Sequence, residues 1–453
     1  MLWTENLFNL WEDCAIAMEV SHSRLVSKSP IFYGWIIMLV GTLAMIMSSP
    51  GQTYVVSIFI EPFIADLGIS RSLVSTLYTL GTLVGSFVLP IVGYQVDRHG
   101  ARLIVTLVIA LFGVACVYMG YVQNALMLGL GFIALRTLGQ GSLGLTCTTI
   151  INQWWVRRRG MVMGISGMAG SLISLGGFPN LVNWLLPIYG WRSAYIILGI
   201  ILTFVMGPVA FIFFRNHPED YGLQPDGGKS STSRLRKRGQ APVEWLEVHW
   251  TLGEAMHTSV FWILVASLSA ISMLSTGLFF HMVSIFTDNG LTPNLAAAVF
   301  VPIAVTTAIV NWGSGLLVDR VPVRILLAIG LFFQALSLLM ARSLFGATFA
   351  LVFGIVLGVS SGLIRILGSV VWAMYFGRHH LGSITGFTSM ITITGSALGP
   401  MPLGIGRDLL GSYNPALMIS AAIPLLLGIL GLFIKDPARL RRQLQERNRE
   451  TEK

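Results

Sequence analysis

Two arginines stand where arginine is expensive. Arg136, in LRTLGQGSLG, and Arg365, in SSGLIRILG, each lie near the middle of a long apolar run. At the centre of a bilayer such a residue costs about 2.5 to 3.5 kcal/mol on insertion scales, so it should face a cavity, a partner or an anionic solute. No Asp or Glu occurs at comparable depth to neutralise either one. A carboxylate arriving from solution is a natural counter-ion, because the planar guanidinium offers it two parallel N–H donors. For Arg136 a second reading stands beside substrate contact, namely bonding to backbone carbonyls or hydroxyls that shapes helix packing. Arg365 follows the small-residue run GVSSG at 358 to 362, which permits close helix approach, and is expected to touch substrate. His281, in FFHMVSIF, has the chemistry to couple protons, or to serve as a hydrogen-bonded packing residue. Gln52, Tyr54, Tyr78 and Asn311 complete the candidate substrate-binding set as polar groups able to line a cavity. Pro50 and Gly51, in SSPGQT, should break a helix ladder and free carbonyls near the midplane.

The elements that must position these residues follow from composition. Of 453 residues, 54% are hydrophobic and 11% charged, with a mean hydropathy of +0.75, far more apolar than a soluble domain. Stretches such as ALFGVACVYMGYV are apolar on every face and long enough to cross about 30 Å of hydrocarbon as helices; a barrel would alternate with period two. The expected spans are 31–62, 71–94, 101–121, 125–153, 161–187 and 191–214, then 258–287, 293–317, 322–341, 347–376, 382–410 and 414–434. This predicts an all-α polytopic membrane protein of twelve transmembrane helices in two six-helix pseudo-symmetric bundles. The expected segments are 1–30, an N-terminal stretch; 31–214, the first bundle; 215–257, a polar linker containing RLRKR; 258–434, the second bundle; and 435–453, a basic tail.

The net charge of +9 is read as topogenic, not as a nucleic-acid signal. Arg98, Arg102, Arg157 to Arg159, the linker cluster, Arg320, Arg324, Arg378 and the tail fall on one side of the twelve spans. Arg71, Arg192, Arg342 and Arg407 fall on the other. The positive-inside rule then puts both termini in the cytosol. Cys14, Cys116 and Cys147 form no metal-spaced pair, and no Walker motif, catalytic triad or metal cluster is present. Neither enzyme chemistry nor a cofactor is expected.

The chain also repeats itself. GYQVDRHGAR at 93–102 returns 222 residues later as GLLVDRVPVR at 315–324. At the same offset Asp66, Gly68 and Ser70 match Asp288, Gly290 and Thr292, and at 221 to 222 WWVRRRGMVMG at 154–164 matches YFGRHHLGSITG at 375–386. Three landmarks in constant register indicate a duplicated six-helix unit.

These residues resemble the major facilitator superfamily from Ile31 to Ile434. Gly93, Asp97, Arg98, Gly100 and Arg102 are similar to its loop signature between helices 2 and 3, and Gly315, Asp319, Arg320 and Arg324 to the second copy. Arg136, Gln140 and Gly141 are similar to its helix 4 motif. FYGW at 32–35, RNHPEDYGLQPDG at 215–227 and YFGRHHLGSITG resemble the monocarboxylate and oxalate/formate branch. Ala101 stands where the signature usually has a basic residue, and Pro322 where the second copy has Gly. GSALGP at 395–400 has the form of a drug-antiporter motif but lies in helix 11 instead of helix 5.

The resemblance implies a secondary transporter working by alternating access. The signature residues are then expected to form a conformational latch, with Asp97 facing a helix N-terminus and the arginines bonding helix-end carbonyls. The expected cargo is a small organic anion, a monocarboxylate above all, moved by proton symport or in exchange for a counter-anion. Efflux of drugs or other amphiphiles by proton antiport is the alternative within transport, and a non-transporting membrane sensor the alternative outside it. The expected setting is a monomer in the plasma membrane, in contact with lipid and with no nucleic-acid partner.

Overall fold

The computed structural model describes residues 23–227 and 250–434, and among these every regular element is helical. The linker run RLRKR, the basic tail and most of the first thirty residues lie outside the described part. The spanning helices are numbered α1 (Gly34–Leu67), α2 (Arg71–His99), α3 (Ala101–Met119) and α4 (Ala125–Trp154). One run, Arg159–Phe213, is 55 residues long, about twice what a bilayer needs. It divides at Gly190, whose φ of 71° and ψ of 166° no helix contains, so α5 covers 159–189 and α6 covers 191–213. The second half holds α7 (Ser259–Asp288), α8 (Asn294–Val318), α9 (Val323–Ala341), α10 (Gly346–Phe376), α11 (Leu381–Leu398, continued by Pro400–Leu410) and α12 (Tyr413–Leu432). Proline at 400 has no N–H to give the ladder, and α11 is interrupted there. Ten helices among the described residues are long and apolar enough by themselves; the Gly190 division and the two-part α11 complete twelve.

Local sequence sets the helix ends. Ser70, Asn124 and Thr258 accept from the backbone N–H groups of Leu73, Met127 and Phe261, capping α2, α4 and α7. Gly68 and Gly290, one at the same point of each repeat, take φ of 62° and 75° and end α1 and α7 in a left-handed turn closed to side chains with a Cβ. Outward-facing apolar residues such as Leu126, Phe204 and Leu409 are 74%, 73% and 78% exposed. A belt of this kind suits hydrocarbon, and the protein crosses the membrane many times.

The halves meet through two matched helix pairs, α2 with α11 and α5 with α8. Glycine makes both contacts possible. A Cβ on Gly93 would strike the carbonyl of Gly382, and one on Gly315 would lie 2.5 Å from the Gly160 carbonyl. The signature's first glycine is therefore a contact residue inside a helix. Gly100, at φ 84°, is the one that turns the chain from α2 into α3. In the second copy Pro322 turns it with φ −55° instead.

Each half is also tied within itself at the opposite end. Asp66 pairs with Arg192 and takes a 3.2 Å bond from the Trp191 indole. Asp288 pairs with Arg407, whose guanidinium lies 4.8 Å from the Tyr413 ring. The aspartates are the repeat-matched pair, so both halves fasten the far end of their first helix in the same way.

Candidate functional site

The break in α1 falls where SSPGQT predicts it. Ser49–Gly51 forms a short 3-10 turn, and Gln52 is extended at φ −87° and ψ 149°. The freed Gly51 carbonyl accepts a 3.0 Å bond from Arg136 Nη1, while Arg136 Nε donates 2.8 Å to Thr82 Oγ1. Arg136 is only 5% exposed, and its guanidinium sits 4.6 Å from the ring of Tyr78. Tyr78 in turn donates 2.8 Å to Thr53. Together they fix the α1 break against α2 and α4.

Between the halves lies a cavity of about 610 Å³, within the range of small-molecule sites. Hydroxyls from both halves line it, among them Tyr54, Thr148, Ser171, Ser275, Ser361 and Thr388, with the amides of Gln52, Gln140 and Asn311. Arg365 is the one charged residue among the described lining. It is exposed at the centre of the bundle because it points into this space. No carboxylate or hydrogen-bonding group among the described residues engages its guanidinium, which lies within electrostatic range of Tyr54. A cation held among neutral donors and acceptors makes the space attractive to an anion.

Below the cavity, at the end carrying the loops between α2 and α3 and between α8 and α9, polar bonds cross from half to half. Asp97 accepts from the N–H groups of Gly382 (2.7 Å) and Ser383 (2.6 Å) and from the Ser383 hydroxyl. Asp319 accepts from the N–H groups of Gly160 (3.0 Å) and Met161 (3.2 Å). Each carboxylate thus caps the N-terminus of a helix in the other half, where free N–H groups and the helix dipole favour negative charge. Asp97 has one bond more.

Two further arginines cross in the same way. Arg159 donates 2.9 Å to the Ala373 carbonyl at the end of α10, and Arg378 donates to the Gln153 carbonyl at the end of α4 and 2.8 Å to Glu219. Asp226, just after α6, accepts from the N–H groups of Val156, Arg157 and Arg158 and holds that loop in place.

The chain matches the family model described as Major Facilitator Superfamily over residues 37–321 and again over 283–452. It belongs to that superfamily. Monocarboxylate transporter 13 of Rattus norvegicus is 24% identical over 391 residues, 84% of this chain and 83% of that one. The oxalate:formate antiporter of Oxalobacter formigenes is 26% identical over 39% of this chain and 42% of its own length. The resemblance to the monocarboxylate and oxalate/formate branch stands with these matches. Among solved structures, the human organic anion transporter MFSD10 superposes with a TM-score of 0.66 at 14% identity, covering 89% of this chain and all of that one. The E. coli fucose:proton symporter FucP gives 0.65 at 15% identity, covering 88% and 98%. The last two show the fold.

Of the candidate substrate-binding residues, the structure brings Arg365, Gln52, Tyr54 and Asn311 to one cavity and leaves Arg136, Tyr78 and His281 out of its lining. His281 bonds the Pro400 carbonyl through Nε2 (3.0 Å) and the Tyr413 hydroxyl through Nδ1 (3.0 Å), bracing α7 against α11 and α12. Of the signature arginines, Arg102 donates to the Phe211 carbonyl at the end of α6, inside its own half. Arg98, Arg320 and Arg324 are exposed, and no side-chain hydrogen bond ties them to another described residue. The branch-like FYGW packs as a corner: Tyr33 donates to the Phe213 carbonyl, and Phe32 lies 5.2 Å from Trp155.

Sequence reasoning missed the crossing roles of Arg159 and Arg378, although the WWVRRRG and YFGRHH repeat marked both places. It also missed the cavity's serine and threonine hydroxyls, which carry no motif. Arg136 allows a direct test. Arg136→Met should lower stability by about 3 kcal/mol, because it strands the buried Gly51 carbonyl and leaves the Thr82 hydroxyl without its donor. A thermal transition matching that of the parent would contradict this assignment.

Proposed function

We propose that the protein is a secondary carrier of small organic anions, with Arg365 as charge partner for a carboxylate and the two halves rocking about the central cavity. The observation that carries this reading is a guanidinium that no described residue engages, the one charge in the described lining of a hydroxyl-rich space between two half-bundles. Three relatives agree with it by name: a monocarboxylate transporter, an oxalate:formate antiporter and a 4-hydroxybenzoate transporter. A cationic drug would meet the like charge of Arg365 with no carboxylate in the described lining to offset it.

In the proposed cycle the loop end is cytoplasmic, as are both termini, and the membrane is the plasma membrane. Asp97, Asp319, Arg159 and Arg378 form the latch that seals this end while the cavity opens outward, and their bonds break when the halves rock. The carrier works as a monomer, since each chain contains a whole cavity and both half-latches.

Exchange is favoured over proton symport. No carboxylate or histidine lines the described cavity, and a carrier returning empty would have to close over the bare charge of Arg365, at a cost of several kcal/mol. A counter-anion removes that cost. The test is uptake of labelled carboxylates into proteoliposomes, preloaded with unlabelled acid or left empty, with and without a pH gradient. Preloading is expected to raise the rate about tenfold. Uptake driven by the pH gradient alone, indifferent to internal anion, would replace exchange by symport; no carboxylate flux under any condition would sink the carrier reading itself.

A further inference from the structure

The cavity holds a second polar pole that the carboxylate does not use. Asn311 on α8 lines the cavity and is 1% exposed, yet neither Oδ1 nor Nδ2 of its amide has a hydrogen-bond partner. Ser171 on α5 lines the same space, and its buried hydroxyl is also unpartnered. Buried amides and hydroxyls nearly always find partners, so these orphans on residues of one lining, with Gln140 Oε1 a third beside them, require an explanation.

Their placement supplies it. A Cβ built on Gly167 would lie 2.6 Å from Asn311 Nδ2 and 3.0 Å from Oδ1, so α5 approaches the amide closely there. Ser171 is one helical turn further along the same face of α5, about 5 to 6 Å away. Asn311 and Arg365 line the same cavity and lie at similar levels. The helices α8 and α10 run side by side in the same direction, with Gly358 against Thr306 and Gly362 against Val310. Thr307 donates to the Gly358 carbonyl. That register puts Asn311 within about one turn, roughly 5 Å of rise, of the level of Arg365.

We infer that Asn311 and Ser171 form a second subsite that recognises a hydrogen-bonding group on the substrate other than its carboxylate. The inference rests on the carrier reading above and narrows it: the cargo is a bifunctional small acid, carrying a hydroxyl or carbonyl besides the group held by Arg365. The two residues belong to different halves. A solute group bonded to both bridges α5 and α8, and a plain acid held only at Arg365 lacks that bridge.

The experiment is competition for exchange in proteoliposomes by butyrate and by its 2-, 3- and 4-hydroxy derivatives, in the parent, in Asn311→Ala and in Ser171→Ala. In the parent, at least one hydroxy isomer is expected to compete about tenfold more tightly than butyrate. In Asn311→Ala that ratio should fall to about twofold or less, with Ser171→Ala reducing it in the same isomer. Reading a ratio within each variant separates lost recognition from lost protein. Should the parent treat all four acids alike, or Asn311→Ala keep the full preference, the second subsite is overturned and the orphans are served by water, while the anion carrier stands. If none of the acids competes and none is exchanged, the carrier reading fails and this inference fails with it.

Discussion

Arg365→Ala is expected to weaken carboxylate binding a hundredfold or more while leaving the ligand-free protein at least as stable as the parent. The first effect follows from removing one member of a desolvated, hydrogen-bonded charge pair, which costs about 2 to 5 kcal/mol. The second follows from what Arg365 does without ligand. Its guanidinium has no hydrogen bond among the described residues, so alanine strands no partner and removes a charge from the middle of the bundle. Arg136 is the opposite case, with bonds to Gly51, Thr82 and Thr53. A thermal-shift titration with carboxylates, run on both variants, separates the two arginines. Full uptake by Arg365→Ala would remove the charge partner from the mechanism.

The other large effect is expected from one extra pair of methyl groups. Gly93→Val places a Cβ against the Gly382 carbonyl and within about 3.1 Å of the Gly386 Cα, so α2 and α11 cannot close at the loop end. Backbone offers no flexible tip that could move aside, and overpacking of this kind costs about 1 to 3 kcal/mol. In a molecule with two arrangements that cost falls on one alone, and each 1.4 kcal/mol shifts their ratio tenfold. Exchange should drop close to background. A cysteine at the cavity residue Thr148 should become reactive to a reagent supplied from the loop side. Normal flux with no change in labelling would show that the Gly93 contact is not part of the cycle.

The fold was legible because it rests on crude, additive signals: apolar length for the spans, charge bias at their ends, and a repeat in constant register. Spans were less legible where glycine and proline set the backbone locally. Gly190 separates two helices with hardly any loop, and Pro400 interrupts α11. The site was half legible. Depth singled out both Arg136 and Arg365, yet depth cannot say which neighbour an arginine meets. That depends on the α1 break, whose freed carbonyl engages Arg136, and on helix rotation, which turns Arg365 to the cavity. The hydroxyls of the lining look like any serine or threonine of a membrane helix. The crossings of Arg159 and Arg378 become visible only when two helix ends from different halves are brought together.

The ion pairs at the far end join Asp66 to Arg192 and Asp288 to Arg407, each inside its own half. In the proposed cycle they travel as cargo of the moving arms. In that cycle neither of these charge pairs is severed to let a solute in. The bonds that must be undone and remade sit at the loop end, among two aspartates, two arginines and the helix tips they hold. On the proposed cycle, one end is a hinged door without a lock, and the other keeps the time.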